Sequence, residues 1–474
     1  MPELMTPPDH VIVIFGADGD LARRMLLPAW FHLHEEGWLP NDFRIIGNSR
    51  SDMTDDEFRD FARASVGEFC RGGVNETSWE EFASRLSFVP HEFGPGSTSP
   101  VAHAVQNAGN EMHGTVHSLF YLAVPPAAFS PITRGLGEAG LAAGAKVVYE
   151  KPFGTDREGF RKLNKEVHEV LSEDQIYRID HFLGKEAVQN ILVFRFANGM
   201  FEPVWNRKHI DNVQIDVPET IGIGTRGDFY ERTGCLRDMI VTHLFQVLSI
   251  VAMGPPKSMR PDDLIDEKVR VLEAMQPLRP EDVVRGQYEG YRQEEGVAED
   301  SQTETFVACR VFLDTERWAG VPFYLRTGKR MASDRWAVSL GFKMPPPALF
   351  DEVGDAVFAR NYLAFEIDPQ EHIKATFLAK VPGPAIELGR AFMEFRSEGA
   401  FHSELIDAYE RLIHDALMGD RTLFTRGDGI EATWEAVSGI LASPPEVRPY
   451  PQGSWGPPEA EELIAPDRWY FPEG

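Results

Sequence analysis

The chain has 474 residues, 43% of them hydrophobic and 26% charged, so it is expected to be soluble and globular, with two domains or one large composite core. Its net charge of −27, from 47 Lys and Arg against 74 Asp and Glu, argues against nucleic acid as a partner. No apolar run reads as a membrane span and the N-terminus shows no signal segment. Three scattered cysteines (Cys70, Cys235, Cys309) fit neither a disulfide framework nor a zinc site, so a cytoplasmic protein with no metal is expected.

In chain order, His10–Phe15 is a short apolar run of mostly β-branched residues and reads as a buried parallel strand. A tight turn, Gly16-Ala17-Asp18-Gly19-Asp20-Leu21, follows. Ala22, Met25, Leu26, Ala29, Trp30 and Leu33 then recur at helical spacing, and Pro28 is expected to start a second helical piece. Phe43–Gly47 is the second strand, completing a βαβ unit. Further strands are expected at Ser118–Val124 and Lys146–Tyr149, with a loop over Glu92–Pro100. Later, Val213–Pro218, Ala308–Leu313, Ala337–Phe342 and Leu363–Ile367 read as strands, and Cys235–Met253 as a helix between them. Strands in series with few crossover helices suggest a mixed or antiparallel sheet. The tail Ser443–Pro458 carries six prolines and is expected to lie extended on the surface.

Three segments carry chemistry. The glycine turn follows a strand and precedes a helix, which is where a dinucleotide pyrophosphate sits, although such a turn alone is a weak signal. After the second strand comes Gly47-Asn48-Ser49-Arg50-Ser51, with no acid until Asp52. Arg50 suits a 2′-phosphate, so the sequence leans to NADP over NAD; a solvent-facing arginine is the alternative.

In the second segment, Arg178-Ile179-Asp180-His181-Phe182-Leu183-Gly184-Lys185-Glu186, Asp180 is expected to start a helix, with His181 and Lys185 on one face as a phosphate pocket. The plainer reading is a capping aspartate among solvated charges. The span 146–208 holds 11 Lys and Arg against 10 Asp and Glu, a near-neutral region in an acidic chain. In the third segment, His243 lies on the apolar stripe of Leu236, Met239, Ile240, Leu244, Val247, Leu248 and Val251. A histidine there serves either as a core residue or, beside a carboxylate, as a base near neutral pH. Asp180 and Asp238 are both candidate partners.

Taken together, these segments closely resemble glucose-6-phosphate dehydrogenase. The resemblance extends to Phe120–Pro126, Glu150–Gly154, Arg237-Asp238-Met239 with His243, Phe323–Lys329 and Gly453–Pro457, in collinear order. It implies an α/β Rossmann-like coenzyme domain over 1–180, then an α+β substrate and dimerisation domain over 181–474 with a large, mostly antiparallel sheet. It implies oxidation of glucose 6-phosphate by NADP, in a homodimer or homotetramer. It makes His243 the general base and Asp180 its orienting partner. His181 and Lys185 would bind the phosphate, and Glu219, Asp238 and Lys329 the sugar or its phosphate. Lys151 would lie between nicotinamide and sugar, Arg50 would meet the 2′-phosphate, and Tyr121 would line the cofactor cleft with Gly16, Ala17, Asp18, Gly19, Asp20 and Leu21. Three positions depart from the family: Met25 and Asp334 stand where basic residues are usual, and Phe182 replaces a tyrosine. They motivate two alternatives, a dehydrogenase of the same fold for another sugar or sugar phosphate and a non-catalytic NADP-binding paralogue.

Overall fold

The computed structural model describes residues 6–96, 100–344, 360–369, 371–396 and 406–470. Contacts divide the chain into two units. One comprises Met1–Gly184, Lys257–Ile265 and Leu405–Glu431, the other Lys185–Pro256, Asp266–Glu404 and Ala432–Gly474.

The first unit contains a six-stranded sheet of β1 (His10–Phe15), β2 (Phe43–Ser49), β3 (Leu86–Pro90), β4 (His117–Leu122), β5 (Lys146–Tyr149) and β6 (Ile176–Arg178). The order is β3-β2-β1-β4-β5-β6 and every pairing is parallel. The unbroken apolar run of β1 follows from its central place, for all six residues are buried. Beyond the glycine turn the helix runs through a π-helical stretch, Ala22–Leu26, into an α-helix, Leu27–Glu35. Pro28 comes just after the π-helical stretch; helical backbone angles continue through Leu26 and Leu27, so its missing N–H falls where the helix changes type. The expected strand at Ser118–Val124 begins one residue earlier and ends at Leu122. Glu92–Gly96 is loop, Pro100 opens the helix Pro100–Glu111, and 97–99 lie outside the described residues. A segment distant in sequence completes this unit: Lys146 Nζ donates to the carbonyl of Leu417, the penultimate residue of the helix Ala408–Met418, at 2.6 Å.

The second unit holds a nine-stranded sheet: β7 (Ile210–Pro218), β8 (Val283–Tyr288), β9 (Phe306–Val311), β10 (Phe323–Gly328), β11 (Trp336–Phe342), β12 (Tyr362–Asp368), β13 (His372–Lys380), β14 (Leu388–Arg396) and β15 (Val447–Tyr450). Its order is β14-β13-β12-β11-β7-β10-β9-β8-β15. All neighbours are antiparallel except β7 with β10 and β8 with β15. The proline-rich tail therefore does more than lie on the surface. It supplies β15, an edge strand, where Pro449 is tolerated because one side of the strand needs no donor. The helical run Gly227–Ala252 is long and apolar enough to cross a membrane by length and composition, against expectation, yet most of that window is buried inside the protein.

Candidate active site

In the first unit, a cavity of about 750 Å³ opens at the carboxyl ends of β1 and β2, which is where doubly wound sheets bind dinucleotides. Its wall includes Gly16, Asp18, Gly19, Asn48, Ser49, Arg50, Ser51, His91 and Phe93. Gly16 has φ +79°, and a Cβ there would stand 2.4 Å from the carbonyl oxygen of Ala123, so only glycine fits this turn. Gly16 and Ala17 both donate backbone N–H groups to the Asn48 carbonyl, tying the turn to β2. The Asp18 carboxylate accepts from the hydroxyls of Ser49 at 2.9 Å and Ser51 at 2.5 Å, which fixes the segment carrying Arg50. Asp18 is thus engaged by serines and does not stand in for the missing acid at the end of β2. Asn48 and His91 are wall residues that sequence reasoning missed; their signal is tertiary, since the Asn48 amide donates to the Val89 and His91 carbonyls. Ala17, Asp20 and Leu21 lie outside this wall. So does Tyr121, which is fully buried and donates its hydroxyl to Glu150 at 2.6 Å. Tyr121 thus lies behind the cavity wall, bonded to the residue before Lys151. The space and the glycines at the turn fit a dinucleotide, and Arg50 lines the same cavity.

Asp180 departs from expectation too. It does not start a helix: its carboxylate accepts the N–H of Phe182 at 3.0 Å and its carbonyl that of Leu183 at 3.1 Å, closing a turn. The following helix begins only at Glu186, so His181 and Lys185 share no helical face. Asp180 is 1% exposed, and its neighbour Ile179 is held by the Tyr149 carbonyl. The half-buried His181 ring stacks on Tyr409 at 6.2 Å and meets Phe182 edge-on at 5.0 Å. Arg178, in the same run, is structural: it donates to Glu173 and Asn164, both at 2.7 Å. Next to Lys151, burial pushes Glu150 up to about 7, Asp180 adds to this, and the Tyr121 hydroxyl and Lys151 oppose it.

In the second unit, Glu219 directly follows β7 and Lys329 directly follows β10. These strands are parallel neighbours with Pro218 opposite Gly328, so the two side chains emerge at the same sheet end and form an ion pair. Lys329 is 4% exposed, and its carbonyl accepts from the Tyr450 hydroxyl of β15 at 2.6 Å. The helix carrying Asp238 and His243 is set by a distant carboxylate. Glu304 accepts the Leu236 N–H at 3.0 Å through its side chain and the Cys235 N–H at 3.0 Å through its carbonyl. Arg285 holds that carboxylate at 2.6 Å. Gly234 makes the approach possible, for its φ is +68° and a Cβ would lie 2.6 Å from Glu304 Oε1. Leu236–Leu244 is then π-helical, a form frequent at functional sites, and His243 is 0% exposed. Burial raises the Tyr230 phenol far above its ordinary value, with Cys235, Asp238 and Glu219 adding to it. Burial likewise raises the Cys235 thiol, with Glu304, Asp238 and Glu219 adding and Lys329 opposing. Asp238, Glu219 and Lys329 are thus brought within electrostatic reach of one group, Cys235. Tyr230, whose buried hydroxyl has no hydrogen-bond partner among the described residues, is a further neighbour that periodicity did not single out. Lys185 precedes the helix Glu186–Phe196 and donates to Asp368 at 2.6 Å. Of the departing positions, Met25 is half-buried in the π-helical stretch, Phe182 is buried, and Asp334 is exposed beside Arg335, which pairs with Glu366 at 3.8 Å.

A family model described as the NAD binding domain of glucose-6-phosphate dehydrogenase matches residues 13–190. A second, described as the C-terminal domain of the same enzyme, matches residues 192–471. A glucose-6-phosphate 1-dehydrogenase of Chlamydia pneumoniae is 39% identical over 490 aligned residues, covering 98% of this chain and 96% of that one. The crystal structure of a glucose-6-phosphate 1-dehydrogenase from Mycobacterium avium superposes with a TM-score of 0.88 at 37% identity, covering 99% of both chains. A glucose-6-phosphate dehydrogenase solved in complex with glucose 6-phosphate gives a TM-score of 0.92 at 32% identity, covering 99% of this chain and 100% of that one. With both family models matched in sequence and the parallel and mixed sheets in their places, the chain belongs to the glucose-6-phosphate dehydrogenase family of oxidoreductases.

Proposed function

We propose that the protein oxidises D-glucose 6-phosphate at C1 to 6-phospho-D-glucono-1,5-lactone and reduces NADP, the entry step of the oxidative pentose phosphate pathway. The observation that carries this reading is the likeness, over 99% of the chain, to a dehydrogenase solved with glucose 6-phosphate. For NADP in particular, the support is Arg50 in the cavity wall at the end of β2, with Asp18 already bonded to the flanking serines.

A bound nicotinamide supplies the hydride acceptor. Gly16 and Gly19 leave room for the pyrophosphate, and Arg50, on the segment that Asp18 fixes through Ser49 and Ser51, holds the 2′-phosphate. His243 takes the proton of the C1 hydroxyl, and Asp180 keeps the imidazole in its accepting tautomer. Lys151 lies between cofactor and sugar. His181 and Lys185 bind the phosphate, while Glu219, Asp238 and Lys329 hold the sugar or its phosphate. Remote binding of a dianion fixes C1 for the transfer, so the phosphate contributes to turnover as well as affinity. The working form in this reading is a homodimer or homotetramer.

Initial rates with glucose 6-phosphate and each cofactor test the reading. Arg50→Ala is expected to lower kcat/KM for NADP by roughly ten- to a hundredfold, the worth of one charge-assisted hydrogen bond, with little change for NAD. Equal losses with both cofactors would remove Arg50 from the 2′-phosphate site.

A further inference from the structure

A lysine at the start of a helix is an anion site by construction, because the first N–H groups lack partners and the dipole end is positive. In this protein the site at the start of the helix Glu186–Phe196 is filled from within. Asp368, the last residue of β12, accepts from Lys185 Nζ at 2.6 Å. Glu371, just before β13, accepts the N–H of Ala187 at 3.1 Å. The Lys185 ammonium also lies 4.6 Å from the centre of the Trp336 ring, and the indole N–H donates to the Pro218 carbonyl at 3.2 Å. Trp336 and Asp368 are opposite one another across β11 and β12, so a single rung of the sheet supplies both the ring and the carboxylate that hold the lysine. Burial raises the Glu371 carboxyl; the Ala187 N–H and Lys185 oppose this, while Glu186 and Asp368 add to it. Negative charge is thus already crowded around the lysine.

We propose that Asp368, with Glu371 beside it, is an internal anion that competes with the substrate phosphate for Lys185 and the helix start, and so sets how strongly this protein prefers a phosphorylated over a free sugar. The proposal rests on the assignment of Lys185 to the phosphate. A dianion must displace the carboxylate from Lys185 and then sit near it. A neutral sugar meets neither cost. Asp368 is therefore a specificity-determining residue that acts through Lys185.

The test compares Asp368→Asn, which keeps shape and removes charge, with the parent protein. KM for glucose 6-phosphate is expected to fall by about three- to tenfold, the range for one net hydrogen bond, while KM for free glucose stays within about twofold. Calorimetric titration with inorganic phosphate should show a Kd lowered by a similar factor, and Lys185→Ala in the Asp368→Asn background should abolish the gain. Should Asp368→Asn fail to fold, Glu371→Gln carries the same expected sign. A rise in KM for glucose 6-phosphate, as if Asp368 served to position Lys185, overturns the proposal, and so does an equal change for both sugars. If the parent forms no NADPH from glucose 6-phosphate, the substrate reading falls. The phosphate titration then decides alone: tighter binding in Asp368→Asn supports the competition and an unchanged Kd overturns it.

Discussion

His243 has no solvent exposure and sits in a π-helical run, so as the proposed base its imidazole would act without bulk water around it. His243→Asn is expected to lower kcat by roughly 10²- to 10⁴-fold with little effect on KM, because it removes a base needed only in the transition state. Steady-state rates on the purified variant check this, and unimpaired turnover would return His243 to the core. Glu150 offers a second test at the same scale. Its folded value is about 7 against an ordinary 4.5, so between these pH values the folded protein keeps a proton that the unfolded chain releases. The wild-type contribution to stability therefore declines as pH rises from 4.5 to about 7 and is lowest above that. Glu150→Gln can still accept from Tyr121 and should gain unfolding free energy increasingly across that window, by up to about 3 kcal/mol at the plateau, read as a Tm advantage that grows with pH. A gain independent of pH would place the effect elsewhere. At this scale residue type and position singled out His243, which is buried, and Arg50, which lines the cavity. It misplaced Asp180, because an aspartate can accept from its own backbone two residues on and close a turn as readily as it caps a helix.

At the scale of elements, what was legible had a local cause. A central parallel strand buried on both faces is largely apolar, as residues 11–15 are, so β1 stood out, and Pro28 located the joint between two helical pieces. The start of the helix that carries His243 had no such cause, for its capping carboxylate, Glu304, lies 68 residues after Leu236. Gly234 is the local trace of that contact. Gly234→Ala would force a Cβ into a left-handed position 2.6 Å from Glu304 Oε1. We expect a loss of about 2–4 kcal/mol in urea unfolding. We also expect lower kcat, since the helix that carries Asp238 and His243 loses its cap. Normal stability with normal kcat would show that the cap does not set the helix. β15 was misread for the converse reason: prolines argue against a central strand, yet they are compatible with an edge.

For the whole molecule, the exposed apolar residues on β14 and its approach bear on assembly. Ile386, Phe392 and Met393 are 67%, 59% and 62% exposed, unusual for large side chains on a sheet. Phe392 and Met393 are consecutive and so lie on opposite faces of β14; if the face bearing Phe392 joins copies of the chain, Phe392→Asp should shift light scattering from dimer to monomer at micromolar concentration and make Tm fall on dilution. An unchanged mass would place the interface elsewhere. Such a surface is visible in composition only once the register shows which residues of the strand share a face. The brace between Tyr450 and Lys329 has a temporal consequence. Lys329 lies 121 residues before the hydroxyl that fixes its carbonyl, on a strand that joins the sheet by its edge. A chain still emerging from the ribosome can pair β7 with β10 and yet leave Lys329 unbraced until residue 450 is free. Nascent chains and products of early termination would thus hold Lys329 through Thr305 and Glu219 but without the Tyr450 hydroxyl on its carbonyl, and the finished geometry at this end of the sheet would arrive late in synthesis.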